Sequence, residues 1–126
     1  MQGRTDANLP ADDAGIGPVA AACRLAVGSA ETHAKSHQWP VCIAIVDDGG
    51  HLLHLQRLDG AAATASYIAT SKANTAALGR RESKVYEDIV NGGRTAFLSA
   101  PMLQGFLEGG VPIMIDGQCV GAIGVS

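Results

Sequence analysis

Residues 41–59, VCIAIVDDGGHLLHLQRLD, decide how this chain folds. Residues 41–46 are an unbroken apolar run of strand length, rich in β-branched side chains. Val41, Ile43 and Ile45 alternate with Cys42, Ala44 and Val46, so both faces of the strand read as buried. That pattern belongs to a central strand, not an edge. Asp47-Asp48-Gly49-Gly50 follows with turn chemistry: Asp carboxylates bond nearby backbone N–H groups, and Gly reaches positive φ without steric cost. The chain returns through residues 51–58, where apolar side chains mix with His51, His54, Gln56 and Arg57. One hairpin thus joins a greasy strand to one that carries polar chemistry. The rest of the chain is expected to pack on it or extend it.

Upstream, residues 1–16 are polar with Gly and Pro and read as a loose N-terminal segment; residues 17–126 read as a single domain. Pro18 is tolerated in a first helical turn. Apolar residues at 19, 22, 23, 26, 30 and 34 predict a helix from there. It is expected to end near His37, because Pro40 disfavours helix at Trp39.

Downstream, residues 62–78 predict a long helix ended by Gly79, with the stripe Ala65, Ile68, Ala69, Lys72, Thr75 and Ala76. A helix with so small a face is expected to lie very close to the sheet or to a partner. Lys72 falls on or beside that face. Ser83 is expected to cap a short helix through Val85 and Ile89, ended by Asn91-Gly92-Gly93. Residues 95–98 read as a short strand and 99–107 as irregular. VPIMI and QCVGAIGV around Asp116-Gly117 give the strongest hairpin signal in the chain. Gly121 and Gly124 in its second strand suggest close approach of another backbone. The order α-ββ-α-α-(β)-ββ predicts an α+β fold.

At 126 residues one domain with a real core is expected. Aromatics are 4% of the chain, so that core must be built from Ala, Val, Ile and Leu. A net charge of −3 without a basic tract argues against a sequence-independent nucleic-acid binder. No apolar run is long enough for a membrane span, and residues 1–13 lack the apolar core of a signal peptide. Cys23, Cys42 and Cys119 read as three reduced thiols, which fits a cytoplasmic protein.

Four blocks in register carry a family resemblance: IAIVDDGGHLLHLQRLDGA, SKANTAALGR, VNGGR and EGGVPIMIDGQCVGAIGVS. The chain resembles the GlcG/HbpS family of small haem-binding proteins, which in turn resembles the C-terminal domain of PduO-type corrinoid adenosyltransferases. The resemblance implies a profilin-like antiparallel sheet flanked by helices and assembled into a homo-oligomer. It implies that some members bind haem or a related tetrapyrrole, while others sit in small-molecule catabolic pathways. The sequence departs from the family pattern in three places. The family has a small or apolar residue where His54 stands, its version of SAPMLQGFLEGG is richer in Pro, and its chains continue past GVS into a final helix.

Within this frame the candidate cofactor-binding residues are Arg57, Lys72, His54, Glu108 and His51. Arg57 and Lys72 suit the carboxylates of an anionic ligand such as haem propionates: Arg through its planar fork, Lys as a point charge. The competing reading makes Arg57–Asp59 or Lys72–Glu108 ion pairs at a subunit interface. His54 is either a half-buried histidine or an axial haem ligand peculiar to this chain. It is expected to share a face with Leu52, Gln56 and Leu58, opposite His51. His51 matches the family's GGH and also reads as a turn residue. His33 and His37, four apart on one helix face, read as polar residues near a helix end, since no carboxylate or thiolate completes a set. No metal site is expected. The expected function is an oligomeric, even-numbered assembly binding haem or a similar anionic planar cofactor. The alternatives are a small-molecule enzyme, with His54, Glu108 or Lys72 handling a carboxylated substrate, or an accessory assembly protein.

Overall fold

The computed structural model describes residues 18–126, with side chains from Ala20 onward. The expected loose segment, 1–16, lies outside the described residues. Helix α1 spans Pro18–Ser36, strand β1 Cys42–Asp47 and strand β2 Leu52–Arg57. Helices α2 (Thr64–Gly79) and α3 (Ser83–Asn91) follow, then a 3-10 helix at Thr95–Ser99, then strands β3 (Gly110–Ile115) and β4 (Gln118–Val125). The strands form one antiparallel sheet in the order β2-β1-β4-β3. As the apolar run requires, β1 is central, and residues 42–46 are wholly buried.

The two faces of β1 serve different helices. Cys42, Ala44 and Val46 point into a cluster with Ala65, Ala69, Ala73, Ala76 and Ala77 of α2 and with Ala122. Ile43 and Ile45 alternate onto the other face, where α1 packs. Burying each of these β-branched side chains contributes about 1.5–3 kcal/mol. The Ala face of α2 lets the helix lie almost on the backbone of β4. A Cβ built on Gly124 would strike the Ala69 carbonyl oxygen and sit 2.8 Å from the Ala73 nitrogen. A Cβ on Gly121 would strike the Val46 carbonyl oxygen. The close approach expected of both glycines is therefore real, and its partners are α2 and β1. The Asp116-Gly117 hairpin also forms, with φ of 50° and 78° at the two turn residues, the left-handed pair that a two-residue hairpin favours.

Two local expectations are corrected. Residues 95–98 are not a strand. Phe97 turns into an aromatic cluster, with ring centroids 5.3 Å from Tyr86 and 5.8 Å from Phe106. The Phe97 and Ala100 N–H groups bond three residues back, so the segment closes on itself instead of joining the sheet. Ser83 does not cap α3. Its hydroxyl is wholly buried, donating to the Leu107 carbonyl at 2.5 Å and accepting from the Gly110 N–H at 2.8 Å. It fastens the run into β3 instead. As expected, Gly79 is the last residue of α2, and Arg80 takes the left-handed cap at φ 57°. Gly79 is needed because a Cβ there would collide with the Tyr86 ring.

Candidate functional site

The second strand of the opening hairpin lies at the edge of the sheet, and its register decides which side chains meet α1. Gln56 pairs with Ile43 and His54 with Ile45, so both face the α1 side. Leu52 pairs with Val46, and the register shifts between Ile45 and Val46. Leu53 is the extra residue of this β-bulge. A bulge re-aims the side chains beside it. Here it separates His54 from Leu52, correcting the expectation that they share a face, and lets Leu53 and His54 line one cleft.

Helix α1 presents Cys23, Val27, Glu31 and Lys35 at four-residue steps, which align along one side of a helix. Two clefts follow that seam. One, of 400 Å³, is lined by Ala20, Cys23, Arg24, Val27, Leu53 and His54. The other, of 460 Å³, includes Lys35, Trp39, Gln56, Arg57 and Asp59. Between them Gln56 Nε2 donates to Glu31 Oε2 at 2.9 Å, and Lys35 Nζ reaches the same oxygen at 2.8 Å. The Lys35 and Gln56 bonds hold the Glu31 carboxyl below the usual carboxylate range. Burial pushes the Cys23 thiol up, so at neutral pH it lines the cleft as a neutral, apolar group. The ring of His54 is exposed, and no described residue hydrogen-bonds it. The groove is thus apolar at its His54 end and charged at its Arg57 end.

The other sequence candidates sit elsewhere. His51 lies at the far end of β1, roughly 17–20 Å along the strand from the Arg57 end. Its Nδ1 is 3.2 Å from Asp47 Oδ1. Asp47 Oδ1 also accepts the N–H groups of Gly49 and His51, each at 2.9 Å, and these bonds, that of His51 first, hold its carboxyl low. Lys72 is buried against the end of β4. Its Nζ donates to the Val125 carbonyl at 3.0 Å, and burial pushes its ammonium down, partly offset by Glu87 and Glu108. No described carboxylate pairs with Lys72 within salt-bridge distance, and neither Lys72–Glu108 nor Arg57–Asp59, the pairs of the competing reading, forms within one subunit. Glu108 is exposed, and its own N–H donates to Glu87 Oε1 at 2.8 Å. Arg57 on β2 and the β4 end that Lys72 bonds do share one end of the sheet, but β1 runs between those strands.

The sequence reading missed the α1 half of the groove. Cys23, Val27, Glu31 and Lys35 carry the four-residue spacing that could have marked it, but nothing in the sequence pairs α1 with β2. Trp39 was read only as a helix stop, yet it walls the charged cleft.

A family described as "Haem degrading protein HbpS-like" matches residues 20–126. The chain belongs to this HbpS-like family. The resemblance read from the four sequence blocks is borne out. Protein GlcG of Escherichia coli strain K12 is 57% identical over 100 residues, 79% of this chain and 74% of GlcG. Among solved structures, the PduOC:heme complex is 25% identical with a TM-score of 0.75, covering 83% of this chain and 78% of that one. A double mutant of HbpS from Streptomyces reticuli is 30% identical with a TM-score of 0.73, covering 86% and 72%. The α+β fold is that of these HbpS-like neighbours. No described helix is long and apolar enough to cross a membrane.

Proposed function

We propose that this HbpS-like chain is a haem-binding protein whose site is the α1–β2 groove. The observation that carries the reading is His54: an exposed imidazole with no hydrogen-bond partner among the described residues, set beside an apolar wall of Cys23, Val27 and Leu53. Haem needs an apolar surface for its macrocycle, an axial donor for its iron and cations for its two carboxylates. The groove offers each in sequence: the apolar cleft, His54, then Arg57 and Lys35. Arg57 suits a carboxylate through its planar fork, and Trp39 adds an aromatic wall. Bound haem would supply the iron and its redox chemistry. The chain's own part is to seat the macrocycle, give His54 to the metal and hold the carboxylates at the Arg57 end. The membership in a family described as haem-degrading, and the heme complex of the PduOC neighbour, support the same reading.

On this account Lys72, Glu108 and His51 are structural. Lys72 closes the end of β4, Glu108 shapes the run into β3 and His51 completes the hairpin turn. The protein acts as a homo-oligomer, because apolar side chains such as Leu25, Tyr67, Val111 and Met114 are exposed on one subunit.

Haemin titration tests the proposal. The wild type is expected to develop a saturable Soret band distinct from free haemin. Val27→Glu, which places a charge in the apolar wall, is expected to weaken binding at least tenfold. A Soret spectrum identical to free haemin, or unchanged affinity in Val27→Glu, would overturn it.

A further inference from the structure

We propose that His33 and His37 form a two-imidazole site for a borderline divalent cation: Cu²⁺, Ni²⁺ or Zn²⁺. Neither imidazole lines the groove, although Trp39 beside them walls its charged cleft. His33 lines a shallow depression with Arg24, Leu25, Ser29, Thr32 and Ser36, whereas the groove takes Cys23, Val27, Glu31 and Lys35. The inference does not rest on haem binding.

Spacing puts the two rings one helical turn apart, and the structure holds them close. Their centroids are 4.4 Å apart with 48° between the planes. Two imidazoles in adjacent positions on one ion, at about 2.0–2.1 Å per bond, place their centroids roughly 4.5–5 Å apart. The observed rings need only a small adjustment to reach that arrangement. The tautomer of the neutral His37 ring is also set. His37 Nδ1 lies 2.9 Å from the His33 carbonyl oxygen. A carbonyl can only accept, so Nδ1 carries the proton and Nε2 keeps the lone pair that a metal needs. Metal-bound histidines characteristically donate their second N–H to such an acceptor. The nearby Ser36 hydroxyl agrees: it donates to the same carbonyl at 2.8 Å, and its oxygen lies 3.2 Å from His37 Nδ1.

Trp39 supplies the third support. Its ring stacks on His37 at 4.5 Å and 25°, and meets His33 edge-on at 5.4 Å and 72°. Rings already held in place lose less side-chain entropy on binding. Imidazole ligands select Cu²⁺, Ni²⁺ and Zn²⁺ over Mg²⁺ or Ca²⁺, with Cu²⁺ the tightest. Among the described residues no group of three or more His, Cys, Asp or Glu side chains gathers here. Water would fill the remaining positions of a bound ion, which makes the site an exchangeable one.

Trp39 is the chain's sole tryptophan, so its emission reports on the pair directly. Untagged protein, free of haemin, is titrated with CuCl₂ while Trp39 emission is followed, and with ZnCl₂ by calorimetry. Saturable quenching by Cu²⁺ and Zn²⁺ binding at one ion per chain are expected. His33→Ala and His37→Ala are each expected to weaken both at least tenfold, while His51→Gln leaves them unchanged. The pair is exposed, so far-UV circular dichroism of the variants is expected to match the wild type. Calorimetry keeps the test valid where His37→Ala alters the Trp39 baseline. Zn²⁺ affinity equal to the wild type in both single variants, or Cu²⁺ quenching that never saturates, would overturn the proposal.

Discussion

Gln56 on β2 donates a hydrogen bond to Glu31 on α1, and this 2.9 Å contact divides the groove in two. On one side stand Cys23, Val27, Leu53 and His54; on the other, Arg57, Lys35 and Trp39. Neither half has the makings of a haem site alone. The apolar half has the His54 imidazole but lacks the paired Arg57 and Lys35 cations. The charged half has those cations but lacks the imidazole. The seam joins them because Glu31 of α1 accepts from Gln56 of β2 and because both clefts are lined by residues of these two elements.

Gly124→Ala tests the contact on which that sheet depends. The new methyl would meet the Ala69 carbonyl oxygen and the Ala73 nitrogen, both backbone of α2. Backbone cannot swing aside as a side chain would, so α2 must lift from β4. Overpacking of this kind costs about 1–3 kcal/mol, occasionally more. Urea unfolding is expected to show a lowered midpoint with little change in slope.

Ser83→Ala is expected to be as damaging, although it removes one oxygen. The substitution leaves the Gly110 N–H and the Leu107 carbonyl without the partner that now serves both. Each stranded buried group costs about 1–3 kcal/mol. Calorimetry is expected to show a melting temperature lower by roughly 5–10 °C. An unchanged melting temperature would mean that water reaches both groups.

Asp47→Asn probes the hairpin turn through pH. The His51 and Gly49 N–H groups hold the Asp47 carboxyl below its ordinary value. A carboxyl lowered on folding adds stability that is present above its unfolded pKa and lost as pH falls through its folded pKa. The wild type is therefore expected to exceed Asp47→Asn in stability at pH 7 and at pH 5. The gap closes as pH falls below the ordinary Asp range. Urea unfolding at a series of pH values checks this.

The fold was legible in the sequence wherever one short-range rule governed. Residues 41–46 were apolar on both faces and became the central strand; Asp116-Gly117 needed two left-handed residues and became the hairpin turn. Small residues on α2 and glycines on β4 announced their mutual approach. The site was less legible because it depends on tertiary pairing. His54 and Arg57 were singled out from β2, but the four α1 residues facing them carry no chemical motif. The bulge at Leu53 defeated simple alternation, so Leu52 was placed on the wrong face. Residues 95–98 misled for a similar reason: Phe97 has partners in Tyr86 and Phe106, on α3 and the run into β3, that no alternation pattern reveals.

Assembly is tested by light scattering at micromolar concentration. The exposed apolar side chains Leu25, Tyr67, Val111 and Met114 predict a mass at least twice that of the chain, and an even multiple of it. A stable monomer would show that these side chains remain in water.

The most direct test of the account is the haemin spectrum of His54→Ala beside that of the wild type. With His54 as the axial donor, the variant is expected to bind haemin at least tenfold more weakly and to shift the Soret band. Added imidazole, which can enter the space left by the side chain, is expected to restore much of the wild-type spectrum. A variant whose Soret position and haemin affinity match the wild type would contradict the assignment of His54 and of the α1–β2 groove.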